Sequence, residues 1–212
     1  MSQASGEVGE RLRAFGAARA TTLASIALLS QAQLDFSPRA GKWSIGEIAD
    51  HLRLSEALWR GEIRRLIALA WAGKRAYLRH SFAEINVSPL HVPDAILSLL
   101  EVPIGIMNRF VPDALIGFVT EFPILPTRNP DAATPRAGRP AAELTADLNA
   151  ARDETRDLID GNADLDFERM VSEHPLTGAT NVPQILTFLT RHERRHQGQM
   201  GGVRSDSRFP RG

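Results

Sequence analysis

Polar and apolar positions repeat with a period near 3.6 over four separate stretches of this chain, which predicts four long amphipathic helices. In the first, Leu12, Phe15, Thr22, Ile26 and Leu29 share one face. That helix is expected from Val8 to Leu34, ending before Asp35-Phe36-Ser37-Pro38 because a residue preceding proline is pushed out of the helical region. The second starts at Ser44-Ile45-Gly46-Glu47, where Ser44 can cap the helix and Glu47 can reach back to its amide. Ile48, Leu52, Leu58, Ile63, Leu66 and Ile67 carry it to about Trp71. The third opens at Pro140, runs through Leu144, Leu148, Ala151, Leu158 and Ile159, and stops at Gly161-Asn162. Asn181 caps the fourth, with Pro183 in its first turn and Gln184 three residues on, and Gly201-Gly202 is expected to end it near Met200.

No stretch alternates convincingly with period two, so the predicted fold class is all-α, a four-helix bundle. Residues 80–139, between the second and third helices, hold eight of the thirteen prolines and read as an irregular insertion. It is also apolar, through Ala95-Ile96-Leu97, Ile104-Gly105-Ile106-Met107 and Leu115-Ile116-Gly117-Phe118-Val119. Pro103 and Pro112, with Glu101, Arg109 and Asp113, argue against a membrane span, and a lid or an interface is the expected role. Residues 1–204 are expected to form one domain, followed by a flexible tail over 205–212.

Composition narrows the function classes. A chain of 212 residues can bury one good core, and 25 basic against 25 acidic residues leave no net field to draw it to nucleic acid or an anionic membrane. There is no cysteine, so any metal must be held by nitrogen and oxygen. Arg11, Arg13 and Arg19 before the apolar Thr21–Leu29 imitate a secretory leader. Glu7 and Glu10 are wrong for one and the stretch already has helical spacing, so a cytoplasmic location is expected.

Candidate chemistry lies on the fourth helix, in His192-Glu193-Arg194-Arg195-His196. Residues four apart share a helix face, so both imidazoles extend the apolar stripe of Ile185 and Leu189 toward the interior. On the second helix, Glu47, His51, Ser55, Leu58 and Glu62 align and place a third imidazole on or beside its buried face. One inward histidine is most often a core residue bonded to a backbone carbonyl; three together are better satisfied by one divalent ion. Glu47 and Glu62 are candidate acceptors for the outer ring nitrogens, and zinc, nickel, iron and copper all suit such a donor set. The same residues match the short zincin motif, in which Glu193 would activate water, but the flanks fail it: Gln199 and Gly202 stand where a metzincin needs glycine and histidine. His80 and His91 are expected at the surface, and His174-Pro175 is expected to fix a loop over one end of the helices. Arg191, Arg194 and Arg195 read as a solvated face, with Arg195 the candidate to hold an anionic group.

Gly41-Lys42-Trp43-Ser44 through Glu47 and His51-Leu52, then His174-Pro175 with Gly178, and last His192-Glu193-x-x-His196-x-x-Gln199, resemble the DinB-like superfamily, which includes DinB and YfiT-like proteins. The resemblance spans most of the chain, with the 80–139 region longer and more apolar than the core fold requires. It implies a four-helix bundle that binds a divalent metal through His51, His192 and His196. It further implies a transferase acting on a low-molecular-weight thiol such as bacillithiol, mycothiol or glutathione and on an electrophilic substrate, or else a metal-dependent hydrolase. In this reading Glu47 orients His51, Ser55 supports the site, Trp43 packs at the end of the bundle and Glu193 has no committed role. The remaining alternative is a non-enzymatic interaction module whose metal is structural or absent. A homodimer would follow if the apolar residues between 95 and 125 are exposed.

Overall fold

Three helices start on the same local device. Ser30 with Gln33, Ser44 with Glu47 and Asn181 with Gln184 each form a complete capping box, the first side chain accepting from the third amide and the third side chain accepting from the cap amide. A computed structural model describes residues 4, 6–81, 133–174 and 178–211. Its elements in chain order are α1 Gly6–Ile26, α2 Gln31–Asp35, α3 Ile45–Trp71, β1 Tyr77–Arg79, α4 Ala141–Asp160, a 3-10 turn Phe167–Arg169, β2 Val171–His174, β3 Gly178–Asn181 and α5 Val182–Arg204. The protein is mostly helical: α1 packs on α4 and α5, and α3 packs on the same two helices. Among the described residues no helix is long and apolar enough to cross a membrane.

Four expectations need correction. The first helix breaks after Ile26, where Leu28 is 95% exposed, because the Ser30 capping box starts a new helix before Leu34. A small sheet is present: β1 pairs parallel with β2, and β2 pairs antiparallel with β3. Its strands are three or four residues long, too short to register as alternation. The last helix runs through Gly201-Gly202 to Arg204, because burial of Met200 and Val203 outweighs the low helical propensity of glycine. Beyond it the chain folds back rather than trailing free, with Phe209 edge-on to Phe36 at 5.6 Å and the Pro210 carbonyl accepting from Gln33 at 3.0 Å. Most of the 80–139 insertion lies outside the described residues, and with it the lid and dimer expectations.

The core is divided. One apolar cluster joins Phe15, Ile63, Leu66, Ile159, Ile185 and Leu189; another joins Ile26, Ile48, Leu52, Leu144, Leu148 and Met200. On each long helix buried polar groups lie between these clusters or at the edge of one: Arg19 and Thr22, then His51 beside Leu52 with Ser55, Glu56 and Arg60 beyond it, then Thr155, then Glu193 and His196. The candidate chemistry therefore sits where the second cluster gives way to this polar layer. Leu148 is fully buried in the cluster beneath it, so Leu148→Ala is expected to lower unfolding free energy by about 2–5 kcal/mol in urea titration.

Candidate metal centre

The Ser44 cap fixes where α3 begins, and His51 lies two turns further along it, 3% exposed. Across from it, α5 presents His192 and His196, and the three Nε2 atoms converge: His51 to His192 is 3.3 Å and His196 to His192 is 3.0 Å. All three candidate ligand atoms lie within 4.8 Å of one another. Imidazole nitrogens at about 2.0–2.1 Å from a tetrahedral ion stand about 3.3–3.4 Å apart, so the spacing fits a single divalent ion.

The outer ring nitrogens fix which atoms are available. A carbonyl oxygen can only accept, so His51 Nδ1–H donates to Ala133 O at 2.9 Å and His196 Nδ1–H donates to Gln199 Oε1 at 2.8 Å. In the neutral rings both Nε2 atoms then carry a lone pair toward His192. Ser55 Oγ, 3.3 Å from His51 Nε2, can donate to one of them, and His192 has at most one proton to offer there. Hydrogen bonds satisfy these contacts one proton at a time, whereas a cation satisfies all three lone pairs together. The cluster is thus compatible with metal binding.

Electrostatics favour the neutral form. Burial pulls His51, His192 and His196 below the ordinary imidazole value, and the Arg195 cation depresses all three further. His196 falls to about 3, and the mutual repulsion of the rings adds to the effect. Aromatic rings flank the group: Trp43 lies 4.7 Å from the His51 ring and 6.4 Å from that of His196, while Phe188 stacks on His192 at 5.5 Å and also meets Trp59 at 5.2 Å.

The structure brings His51, His192, His196, Ser55 and Trp43 together, keeps Arg195 within electrostatic reach of all three imidazoles, and turns Glu47 and Glu193 to other partners. Trp43 is against two of the imidazoles rather than merely at an end of the helices. Glu47 spends its carboxylate on the Ser44 amide at 2.9 Å, and the Ala133 carbonyl does the orienting of His51 that was assigned to Glu47. Glu193 is 1% exposed and turned to α1, where it accepts from Arg19 Nε at 2.7 Å and from the Thr22 hydroxyl. Arg19 also meets Glu56 Oε2 at 2.8 Å, a charge contact, and donates to Leu148 O at 2.9 Å. Glu62 is bonded to His80 at 2.9 Å, so His80 is partly buried rather than a surface residue. His174 ends β2, its backbone registered with Gly178, and His91 lies outside the described residues.

Ala133, Gln199, Phe188, Asp50 and Arg19 were not assigned roles from the sequence. Gln199 was detectable, since it follows His196 by three residues and so shares its face. Arg19 was detectable too: it falls on the stripe of Phe15, Thr22 and Ile26. A charged residue in an apolar stripe demands a buried partner.

Fold and site together define a mostly helical protein with three histidines from two helices poised around one point. The chain belongs to the DinB superfamily, whose family model matches residues 14–200. No match was found among curated proteins or among solved structures.

Two outcomes follow from the electrostatics. The unfolded chain takes up protons on these histidines near pH 6.5 while the folded metal-free protein resists them, so unfolding free energy should fall as pH drops from 6.5 toward about 3. Denaturant titrations of metal-free wild type and His196→Gln between pH 7.5 and 5 check this, the variant showing the shallower dependence (the interval is roughly the imidazole range). Glu193→Gln should cost about 3–5 kcal/mol of stability by leaving Arg19 short of a carboxylate. Unchanged stability in Glu193→Gln would show that the buried pair with Arg19 does not need this carboxylate.

Proposed function

We propose that this chain is a DinB-type four-helix bundle that holds zinc, nickel or iron on His51, His192 and His196 and transfers a low-molecular-weight thiol to a small electrophile. The observation that carries the reading is the convergence of three Nε2 atoms, two of which, on His51 and His196, present lone pairs because their Nδ1 protons are committed to Ala133 and Gln199. When bound, a divalent ion with three neutral ligands keeps its double charge and lowers the pKa of a thiol or water in its coordination shell.

The surroundings favour the thiol. Hydrolysis gains from a carboxylate base beside the reacting water, yet Glu193 is held by Arg19 and Thr22 and Glu47 by the helix cap. A thiol, with an ordinary pKa of about 8.5, needs no such base to ionise near a cation. Trp43 and Phe188 flank the imidazoles, and apolar ring faces beside them strengthen the charge interactions there. Arg195, close enough to depress all three histidines, receives a carboxylate of the thiol cosubstrate. The sulfur then bonds to the electrophilic carbon as the leaving group departs with its electron pair. A thiol pool of this kind belongs to a reducing cytoplasm.

Metal-loaded protein incubated with bacillithiol, mycothiol or glutathione and a chloro-aromatic acceptor should consume thiol and release chloride together. Turnover of an ester panel without thiol loss would assign hydrolysis to the same site, and neither activity would leave a binding module. Metal content should fall to background in His51→Ala. Arg195→Gln should raise the thiol KM about tenfold or more, the worth of one charge-assisted hydrogen bond, with a smaller change in kcat.

A further inference from the structure

Asp50 stands next to a candidate ligand, is fully buried, and spends its carboxylate largely on residues 136–139, a segment that has no regular structure. Its Oδ2 accepts from the Arg136 amide at 2.9 Å. Its Oδ1 accepts from Arg139 Nη1 at 2.7 Å and from Arg53 at 2.8 and 3.0 Å. Arg139 continues to Asp147 on α4 at 2.6 Å. Residues 134 and 136–138 are exposed, yet Ala133 at their head is 1% exposed with its carbonyl on His51 Nδ1. One carboxylate on α3 thus grips this segment three and six residues beyond the carbonyl that orients the neighbouring histidine.

We infer that Asp50 is a positioning residue for the metal centre: by fastening residues 136–139 to α3 it holds the Ala133 carbonyl on His51 Nδ1 and so keeps the His51 Nε2 lone pair aimed at the cluster. The physical chain is short. A free carbonyl on an irregular segment would exchange the imidazole for water, because nothing else described between Ala133 and Arg139 ties that stretch to α3. Without the carbonyl, the His51 proton distributes between both ring nitrogens, and every ring protonated on Nε2 is lost as a ligand. Partners that orient a metal ligand commonly account for about 10–100-fold in affinity, which sets the scale expected here.

The inference rests on the three histidines being metal ligands, so the test separates the two. Metal titration of wild type addresses the ligands. For the grip, the metal-free full-length protein is examined by long-range proton–nitrogen NMR correlations of its imidazoles, comparing wild type, Asp50→Asn, Arg139→Gln and Arg53→Gln. Wild type should show His51 protonated on Nδ1. Asp50→Asn should show mixed tautomers and bind cobalt(II), in competition with a chelator, about 10–100-fold more weakly. Arg139→Gln keeps the Arg136 bond and the Arg53 pair, folds if Asp50→Asn does not, and should move both readouts the same way by a smaller factor. Arg53→Gln removes a partner of Asp50 that does not belong to the segment, and should leave tautomer and affinity within about twofold. An unchanged His51 tautomer in Asp50→Asn and Arg139→Gln would overturn the inference. So would an Arg53→Gln effect equal to that of Arg139→Gln, since charge balance rather than the grip would then be at work.

Discussion

The interior of this protein is organised by one guanidinium that has no access to water. Arg19 is fully buried on α1 and must be neutralised and hydrogen-bonded where it lies, so it draws on Glu193 from α5, Glu56 from α3 and the Leu148 carbonyl from α4. Burial works against its charge, and the two carboxylates more than compensate, holding the group protonated. Glu56 is taken up in turn by the Thr155 hydroxyl at 2.6 Å, with Arg60 nearby donating to the Ala151 carbonyl. Such a network is a poor source of net stability, because apolar residues of equal volume would often do as well. Its effect is on alignment, since a shift of any one helix by a turn leaves a buried charge unmatched.

That alignment reaches the histidines through α5. Successive helical residues are rotated by about 100°, so fixing Glu193 toward α1 turns His192 and His196 toward the adjoining face, where α3 supplies His51. The glutamate inside the His-Glu-x-x-His pattern thereby serves the geometry of its neighbours without approaching their nitrogens. The same five residues that spell a protease signature in one setting describe, in this one, a helix rotated by an ion pair. Motif spacing carries the face on which the histidines lie; the identity of the group that Glu193 meets is tertiary.

How much was legible follows the range over which each feature is determined. The α3 and α5 starts and the α4 span were readable because capping and turn residues act within four positions of the chain. The break ahead of Ser30 was equally local, but the periodic run of apolar residues across it masked a capping signal that was present. His51, His192 and His196 were readable as a set from helical faces and family resemblance. Ala133 was not, because the acceptor is a backbone atom 82 residues away and any residue type offers the same carbonyl. Nor was the sheet, whose strands bury little and whose β1–β2 pairing joins residues far apart in the chain, Tyr77 to Val171 by their register.

Two buried imidazoles and a half-buried third, set side by side, carry a cost that their surroundings must meet. Each ring resists protonation, and a protonated ring is neither a ligand nor a tolerable neighbour for the other two. Neutral rings alone do not make a site, since a neutral imidazole with its proton on the inner nitrogen is equally useless. The protein meets both demands with separate means: apolar and aromatic surroundings remove the charge, while Ala133 and Gln199 place the remaining proton on the outer nitrogen of His51 and of His196. His192 has neither support among its described hydrogen bonds, and it is the ring that both others face. Its inner nitrogen can face a cation only when the ring holds its proton on Nδ1, so His192 is the ring whose tautomer, rather than its charge, decides whether the three lone pairs can converge.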